Sequence, residues 1–367
     1  MKSYNHLFEI AISDDIILSS LSGASKGKKD RPEVQRIFSN LEKYIKKYRD
    51  WLIKGEYTPI KHKAVVINDG FLLKKRVVMQ PYFYPEQWTQ HVIVKTLQPI
   101  FLKGMYEYSC GSIPGRGVHY GKKYLEKFIK HNKAEIKYVL KLDIHHFYQS
   151  INTDILKARL RKIIHDDKML KLIYFVLDSN SAELNGEEFR EGLPIGFYTS
   201  QWFANWLLQP FDHFIKEELK VKCYVRYMDD IVIFGRNKKE LHKHLERIKA
   251  YLAGLDLKVK SNYQVFRFDY IDKMGNRRGR PIDFMGFKFY RDKTTIRGKI
   301  FLRAIRKARK MGNKERITWY DASQIMSYIG WFKHTDTYKA FKKYIEPNIN
   351  LKLCKKMISN HSKKRKE

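Results

Sequence analysis

Cysteine is scarce in this chain: Cys110, Cys223 and Cys354 are the only three in 367 residues, and no two stand in a Cys-x-x-Cys spacing. An odd, scattered set argues against a disulfide framework and a structural zinc site, and it suits a reducing compartment. Long apolar runs are missing as well. No stretch reaches the ~18 residues that a membrane-spanning helix needs, so no membrane partner is expected. The start, Met1-Lys2-Ser3-Tyr4-Asn5-His6, carries no hydrophobic signal region, and a cytoplasmic location is the expectation. Acidic residues are in deficit: 39 Asp and Glu face 73 Lys and Arg, for a formal charge of +34. Such a chain repels itself unless a polyanion compensates it, and nucleic acid is the simplest polyanion. Internal repeats and long linkers are absent too. With 43% hydrophobic and 14% aromatic residues, the chain has what a folded core needs, and its length allows two or three subdomains.

Two adjacent carboxylates, Asp229 and Asp230, stand between runs of β-branched and aromatic residues from Cys223 to Gly235. The runs read as the arms of a hairpin with Met228 and Asp229 at its tip, and Val225, Tyr227, Val232 and Phe234 are available to pack the arms onto a core. Neighbouring like charges repel, so a cation should sit beside them. A solvated Asp-Asp turn is the plain alternative. Upstream, Tyr138–Ile144 is a second apolar run that reaches Asp143, where a buried carboxylate is costly unless paired or metal-bound. Between the two lies Gly192–Gln201, a Gly/Pro-marked loop that feeds a helix-like run. An Asp at the end of one buried strand and an Asp pair on a neighbouring hairpin supply hard oxygen ligands. They suit two Mg²⁺ ions about 3.5–4 Å apart, the arrangement used for in-line phosphoryl transfer.

Further elements read from pattern. Val34 to Leu52 recurs at helical steps as one helix, opened by Asp30-Arg31-Pro32 and ended by Gly55. Ala64–Val78 is a hairpin with an Asp69-Gly70 turn, and Asn185-Gly186 marks another. Asn237-x-x-Glu240 caps a helix that stops at Gly254, and Asp321–Phe332 is amphipathic. His145 and His146 are expected on opposite faces of a strand and not as metal ligands. The basic end, Lys363-Lys364-Arg365-Lys366, is expected to lack fixed structure.

Leu140-Lys141-Leu142-Asp143, Leu193-Pro194-Ile195-Gly196-Phe197-Tyr198-Thr199-Ser200-Gln201 and Tyr227-Met228-Asp229-Asp230 resemble motifs A, B and C of reverse transcriptases, in the right order. The resemblance covers most of the chain. It implies an α+β right-hand polymerase with fingers, a ferredoxin-like palm and a helical thumb. The expected boundaries are residues 1–136 for an N-terminal extension and fingers, 137–152 for the palm with motif A, and 153–191 for a fingers insertion. Palm motifs B to E follow over 192–292 and a basic thumb and tail over 293–367. The implied activity is RNA-directed DNA synthesis, with template RNA, dNTPs and cDNA as partners. Two Mg²⁺ ions, for which Mn²⁺ can substitute, would be held by Asp143, Asp229, Asp230 and the Ile144 backbone.

Other roles follow from the same resemblance. Lys260 matches the motif D lysine that protonates the leaving pyrophosphate, with an ordinary solvated lysine as the alternative. Tyr148 matches the steric gate that excludes a 2′-hydroxyl. Arg76, then Lys74, would meet the triphosphate from a fingers strand, although an edge strand blunted by charge explains them equally well. Arg116, in the Gly-rich run Cys110–His119, is a further nucleotide contact. Tyr227, Met228 and Gly286 would approach the primer strand, and Arg303, Arg306, Lys307 and Lys310 would track a duplex backbone.

The chain also departs from the family pattern. Glu86-Gln87-Trp88-Thr89-Gln90-His91 lacks the Arg that relatives commonly carry before Gln-His, so other cations must do more. Ile195 stands where most relatives have Gln. The form Ile195-Gly196-x-x-x-Ser200-Gln201 is similar to diversity-generating retroelement enzymes, while defence-associated bacterial reverse transcriptases share parts of it. Both contexts use a dedicated noncoding RNA; the former adds a small basic accessory protein, and an oligomer is compatible with either. The absence of an endonuclease-like His/Cys cluster weakens a group II intron protein. A silent RNA-binding relic and an RNA-dependent RNA polymerase remain as alternatives, the latter disfavoured by Tyr148.

Overall fold

Short apolar runs become strands, and runs with helical spacing become the helices packed on them. The computed structural model describes residues 3–68 and 75–364. Its strands are β1 (Lys61–Asn68), β2 (Lys75–Gln80), β3 (Tyr138–Asp143), β4 (Ser181–Leu184), β5 (Glu187–Arg190), β6 (Tyr224–Tyr227) and β7 (Asp230–Gly235). They continue with β8 (Gln264–Arg267), β9 (Tyr270–Ile271), β10 (Arg277–Arg278), β11 (Ile282–Phe284), β12 (Phe287–Phe289) and β13 (Thr294–Ile296). The chain divides into two compact units. Residues 1–113, 142–220 and 244–263 form the first, and residues 114–141, 221–243 and 264–367 form the second.

In the first unit the helix Asp14–Ser25 packs against the helix Trp88–Leu102. The stretch expected as one helix from Val34 to Leu52 is two, Pro32–Ser39 and Leu41–Lys54. Asn40 leaves helical geometry at φ −133°, ψ 45°, and its side chain donates to the Arg36 carbonyl at 3.2 Å. The apolar period runs on across this break, which is why the sequence reads as continuous. Gly55, at φ 65°, ends the second helix. The sheet has the order β2-β1-β4-β5. Strands β1 and β2 pair antiparallel from Lys63↔Gln80 to Asn68↔Lys75, while Asp69, Gly70 and Lys74 lie outside the described residues. Asn185 and Gly186 both have positive φ, 55° and 88°, the two-residue hairpin turn that their identities predict.

In the second unit the sheet order is β6-β7-β3-β8. Counted along the chain these are its second, third, first and fourth strands, the ferredoxin-like order expected of the palm. Lys137 N–H donates to the Gly235 carbonyl and Lys141 lies near Asp230, so β3 and β7 run antiparallel. Tyr224, Val225, Ile231, Val232 and Ile233 are all fully buried; the sheet is covered on both faces, which explains runs that do not alternate. The palm sheet is followed by β11-β12-β13 and by the helices Gly298–Gly312, Trp319–Lys333, Tyr338–Tyr344 and Leu351–Lys364. The last helix takes in Lys363, where a tail without fixed structure was expected; residues 365–367 lie outside the described ones. No helix among the described residues is long and apolar enough to cross a membrane.

The helix Trp319–Lys333 opens with a capping box between Thr318 and Asp321. Asp321 is buried and accepts from the ammonium groups of Lys307 and Lys314, each at 2.7 Å. Lys307, expected to track a duplex backbone, is held by this carboxylate, since a buried carboxylate left unpaired would be costly. Arg306 and Lys310, one turn apart, stay exposed with Arg309, while Arg303 is half-buried. Thr318→Ala should cost about 1 kcal/mol, and Asp321→Ala about 2–3 kcal/mol because it leaves the half-buried ammonium groups of Lys307 and Lys314 unpaired. Urea unfolding checks the ranking, and equal losses would contradict it.

Candidate active site

In the first unit Asp143 ends β3, and the chain then bridges to the segment around Val259. Lys260 N–H donates to the Asp143 carbonyl at 2.9 Å, and His145 N–H donates to the Lys258 carbonyl at 2.7 Å. The Ile144↔Val259 bridge therefore uses neither polar backbone atom of Ile144, whose side chain is buried. The bridge also brings Lys260 Nζ to 2.5 Å from Asp143 Oδ1. His145 and His146 sit past the strand, with ring centroids 4.1 Å apart. They are neighbours, not residues on opposite faces, since His146 adopts left-handed geometry at φ 41°.

Tyr148 lies half-buried in the short helix Phe147–Ser150. Leu193 N–H donates to the Tyr148 carbonyl at 2.8 Å, and Gly192 N–H donates to the Gln149 carbonyl at 3.0 Å. A Cβ at Gly192 would stand 2.1 Å from the Ile151 carbonyl oxygen, so only glycine allows this approach. On its other side the loop is tied to β2, where Met79 N–H donates to the Ile195 carbonyl at 2.8 Å. Gly196 has φ 116°, and a Cβ there would meet the Met79 carbonyl oxygen at 2.3 Å. Gly196 and Gln201 are exposed and Ile195 is half-buried. Arg76 is exposed on β2, and Lys74 lies outside the described residues.

A cavity of about 490 Å³ opens beside this loop, lined by Lys28, Arg31, Lys63, Gln90, His91 and Tyr198 among others. Sequence reasoning missed it, although its signals were the basic loop Lys26-Gly27-Lys28-Lys29 and the altered run Glu86–His91. Lys28 donates to Gln87 Oε1 at 2.5 Å, at the position where the family pattern changes. Burial, followed by the nearby Arg31, pulls the Lys28 pKa down. His91 stacks on Tyr198 with ring centroids 4.0 Å apart and planes at 10°.

In the second unit β6 and β7 form the expected hairpin, with Met228 and Asp229 as its turn. Met228 has φ 56°, and it is only 6% exposed. Met228, expected to approach the primer strand, is thus largely covered, and Tyr227 beside it is half-buried. The cation predicted beside the Asp pair is present. Lys141 Nζ lies 3.8 Å from Asp230 Oδ1 and donates to the Asp283 carbonyl at 2.6 Å. Sequence reasoning also missed Arg226, which is fully buried and donates to the Met228 carbonyl at 3.1 Å, bracing the turn. A charged residue inside an apolar strand was its signal.

Arg116 lies in this unit with its guanidinium over the Tyr120 ring. Gly286 lies in the same unit at φ 86°. A Cβ there would meet the Trp331 ring at 2.6 Å, so the close approach it permits is to the helix Trp319–Lys333 of its own unit. Among the described residues no group of three or more His, Cys, Asp or Glu side chains is gathered tightly enough to hold a metal ion.

Burial, followed by the charges of Lys28 and Lys95, lowers the His91 pKa to about 4. The unfolded chain therefore takes up this proton first. Stability is intact above about pH 6.5 and declines as pH falls toward 4, by about 1–2 kcal/mol because the ring keeps some contact with water. In acid-range denaturation curves, His91→Phe should flatten that part of the wild-type slope. An unchanged slope would show that the ring is not held neutral.

Comparison with known proteins bears on what these groups do. The family described as Reverse transcriptase (RNA-dependent DNA polymerase) matches residues 87–289. The chain is similar to the retron Ec73 reverse transcriptase of Escherichia coli, 23% identical over 295 residues, covering 75% of this chain and 86% of that one. Among solved structures it is similar to apo telomerase from Candida tropicalis, with a TM-score of 0.48 and 13% identity over 79% of this chain. The chain spans 57% of that telomerase's length. The family match takes in Asp143, the loop from Leu193 to Gln201 and the Asp229-Asp230 turn, so this chain, an RNA-directed DNA polymerase, belongs to the reverse transcriptase family.

Proposed function

We propose that Asp143, Asp229 and Asp230 form one catalytic centre for adding deoxynucleotides to a primer 3′-hydroxyl on a dedicated noncoding RNA template. One observation carries the reading: two of these carboxylates already have a lysine ammonium beside them, Lys260 at Asp143 and Lys141 near Asp230. Carboxylates that attract cations in this way are hard oxygen donors of the kind Mg²⁺ prefers, so the residues fit the ion. When bound, two such ions would supply a lowered pKa at the attacking hydroxyl and charge neutralisation on the triphosphate.

The remaining steps fall to the chain's own groups. Lys260 holds its ammonium protons beside Asp143 and, once released from that carboxylate, can donate one to the departing pyrophosphate. Tyr148, tethered through its carbonyl to Leu193, packs against the sugar and leaves no room for a 2′-hydroxyl. Arg76 and Arg116 offer guanidinium groups to phosphate oxygens. Gly196 presents bare backbone beside the cavity that Lys28, Arg31 and Lys63 line, a surface suited to a template strand.

The biological setting is proposed at a coarser level. Ile195, which cannot make the hydrogen bonds of the usual Gln, supports a diversity-generating retroelement. The similarity to a retron reverse transcriptase supports copying of RNA into DNA, and a defence-associated enzyme would share that property. Sequencing the RNA that copurifies with the protein, and the DNA made from it, separates the readings. Errors concentrated opposite template adenines favour the first, and faithful copies exclude it.

Purified Asp229→Asn should incorporate dNTPs at least about 100-fold more slowly than wild type on a primed RNA template with Mg²⁺. Undiminished incorporation would remove Asp229 from the centre and revive a binding-only role. Lys260→Ala should lower kcat by about 10- to 100-fold with little change in KM, and the loss should shrink at low pH, where water protonates the leaving group. A pure KM effect would reduce Lys260 to a binding residue. Tyr148→Ala should raise ribonucleotide use at least tenfold relative to deoxynucleotide use, and an unchanged ratio would overturn the gate.

A further inference from the structure

The cavity beside Gly196 is built within the first unit, and its wall holds more positive charge than it neutralises. Lys28 comes from the loop after the helix Asp14–Ser25, Arg31 from the start of the helix Pro32–Ser39, and Lys63 from β1. The Lys28 ammonium donates to neutral groups, the Ala24 carbonyl at 3.0 Å and Gln87 Oε1 at 2.5 Å. Arg31 and Lys63 are exposed, and among the described residues neither is paired with a carboxylate. Glu33 is the one carboxylate in the lining, and it accepts from Tyr84 N–H at 3.3 Å. Three cations against one carboxylate leave the wall short of negative charge, which a phosphate would supply.

The same wall carries an aromatic ring fixed from two sides. Tyr198 is 38% exposed where it lines the cavity, and its ring stacks on His91. His91 is itself wedged against the helix Asp14–Ser25, since a Cβ at Gly23 would stand 2.8 Å from His91 Nδ1. Tyr198 N–H donates to Oε1 of the buried Gln90 at 2.7 Å, and the Gln90 amide nitrogen keeps its N–H donors uncommitted among the described residues. A preset ring, an amide and a group of cations match the parts of a nucleotide: base face, base edge and phosphate. A volume of about 490 Å³ gives room for one nucleotide and not for a base pair.

The loop Gly192–Gly196 decides which nucleotide that is. On one side Leu193 N–H holds the Tyr148 carbonyl, and on the other Met79 N–H holds the Ile195 carbonyl. The cavity opens on the Met79 side, lined by Val78, Met79 and Gly196. It therefore lies across the loop from Tyr148, the residue read as touching the incoming sugar. A nucleotide in the cavity is not the incoming one.

We propose that the cavity holds a single unpaired nucleotide of the template RNA, the one directly ahead of the base being copied. Its base lies on Tyr198, and its phosphate sits among Lys28, Arg31 and Lys63. This rests on the reading of that surface as the template's and deepens it, from a charged face that attracts a strand to a pocket that takes one nucleotide at a time.

The probes are three primer–templates, each with a dideoxy-ended DNA primer and the next dNTP present. In the first the template RNA ends at the base to be copied, in the second it runs one nucleotide further, and in the third that nucleotide is abasic. Fluorescence anisotropy should show wild type binding the second about tenfold more tightly than the first, with most of the gain gone in the third. Tyr198→Leu should lose the gain and no longer distinguish the second from the third. Tyr198→Trp, which keeps a stacking ring, should retain it, and this separates lost stacking from lost folding. Arg31→Ala/Lys63→Ala, at two exposed positions, should bind the second about fivefold less tightly, with a slope of log affinity against log salt smaller by about one. Equal wild-type affinity for the first and second, or an undiminished abasic penalty in Tyr198→Leu, would overturn the proposal. So would a higher dNTP KM in Arg31→Ala/Lys63→Ala that is the same on all templates, which would give the cavity to the incoming triphosphate. A wild type that cannot extend an unblocked primer defeats the polymerase reading instead, and the binding comparison still reports on the cavity.

Discussion

Carboxylate held against ammonium is the constraint on which this molecule depends. A chain with so large a surplus of positive charge places a few acidic groups at strand ends and turns, and each draws a lysine or arginine to it. Lys260 closes on Asp143, Lys141 stands near Asp230, and Lys307 and Lys314 close on the buried Asp321. The same chemistry has different consequences in each place. At Asp321 the ions are shielded and bind one helix to the next. At Asp143 the carboxylate is only partly covered, and an ammonium can give way to another cation.

Much of this was legible in the sequence because strands, turns and caps depend on neighbours along the chain. The β6–β7 hairpin and the Asn185-Gly186 turn follow from local pattern, and so does the helix after Asn237, where Asn237 Oδ1 accepts Glu240 N–H at 2.7 Å; the ferredoxin-like strand order came only with the family resemblance. The break at Asn40 was not legible, since the apolar period continues across it. Side-chain commitments were the least legible. Lys307 looked like one more basic residue on a basic helix until a carboxylate fourteen positions away claimed it. Gly286 looked like a contact point for a ligand until the Trp331 ring filled the space above it. Met228 follows the same logic: the motif gives its place in the turn, and only the fold shows how far it is covered.

The fingers show how a departure from a family pattern can be absorbed. In the run Glu86–His91, where the Arg that relatives commonly carry is missing, Trp88 is fully buried and donates through its indole N–H to the Ile17 carbonyl at 3.0 Å. That residue has become part of the core under the N-terminal helices. Positive charge reappears close by from a different stretch of chain, in Lys28 and Arg31 at the rim of the cavity. Sequence comparison position by position records a lost cation, whereas the fold restores one.

The tether between Tyr148 and the loop at Gly192–Ile195 reaches beyond geometry. One short segment is bonded on one side to the backbone of the residue read as sensing the sugar, and on the other to the strand that carries Arg76. In the reading proposed above, choice of sugar, reading of the base and grip on the phosphates are mechanically joined. Drift in any one of these properties would pull on the others, so descendants of this enzyme should change them together or leave all three alone.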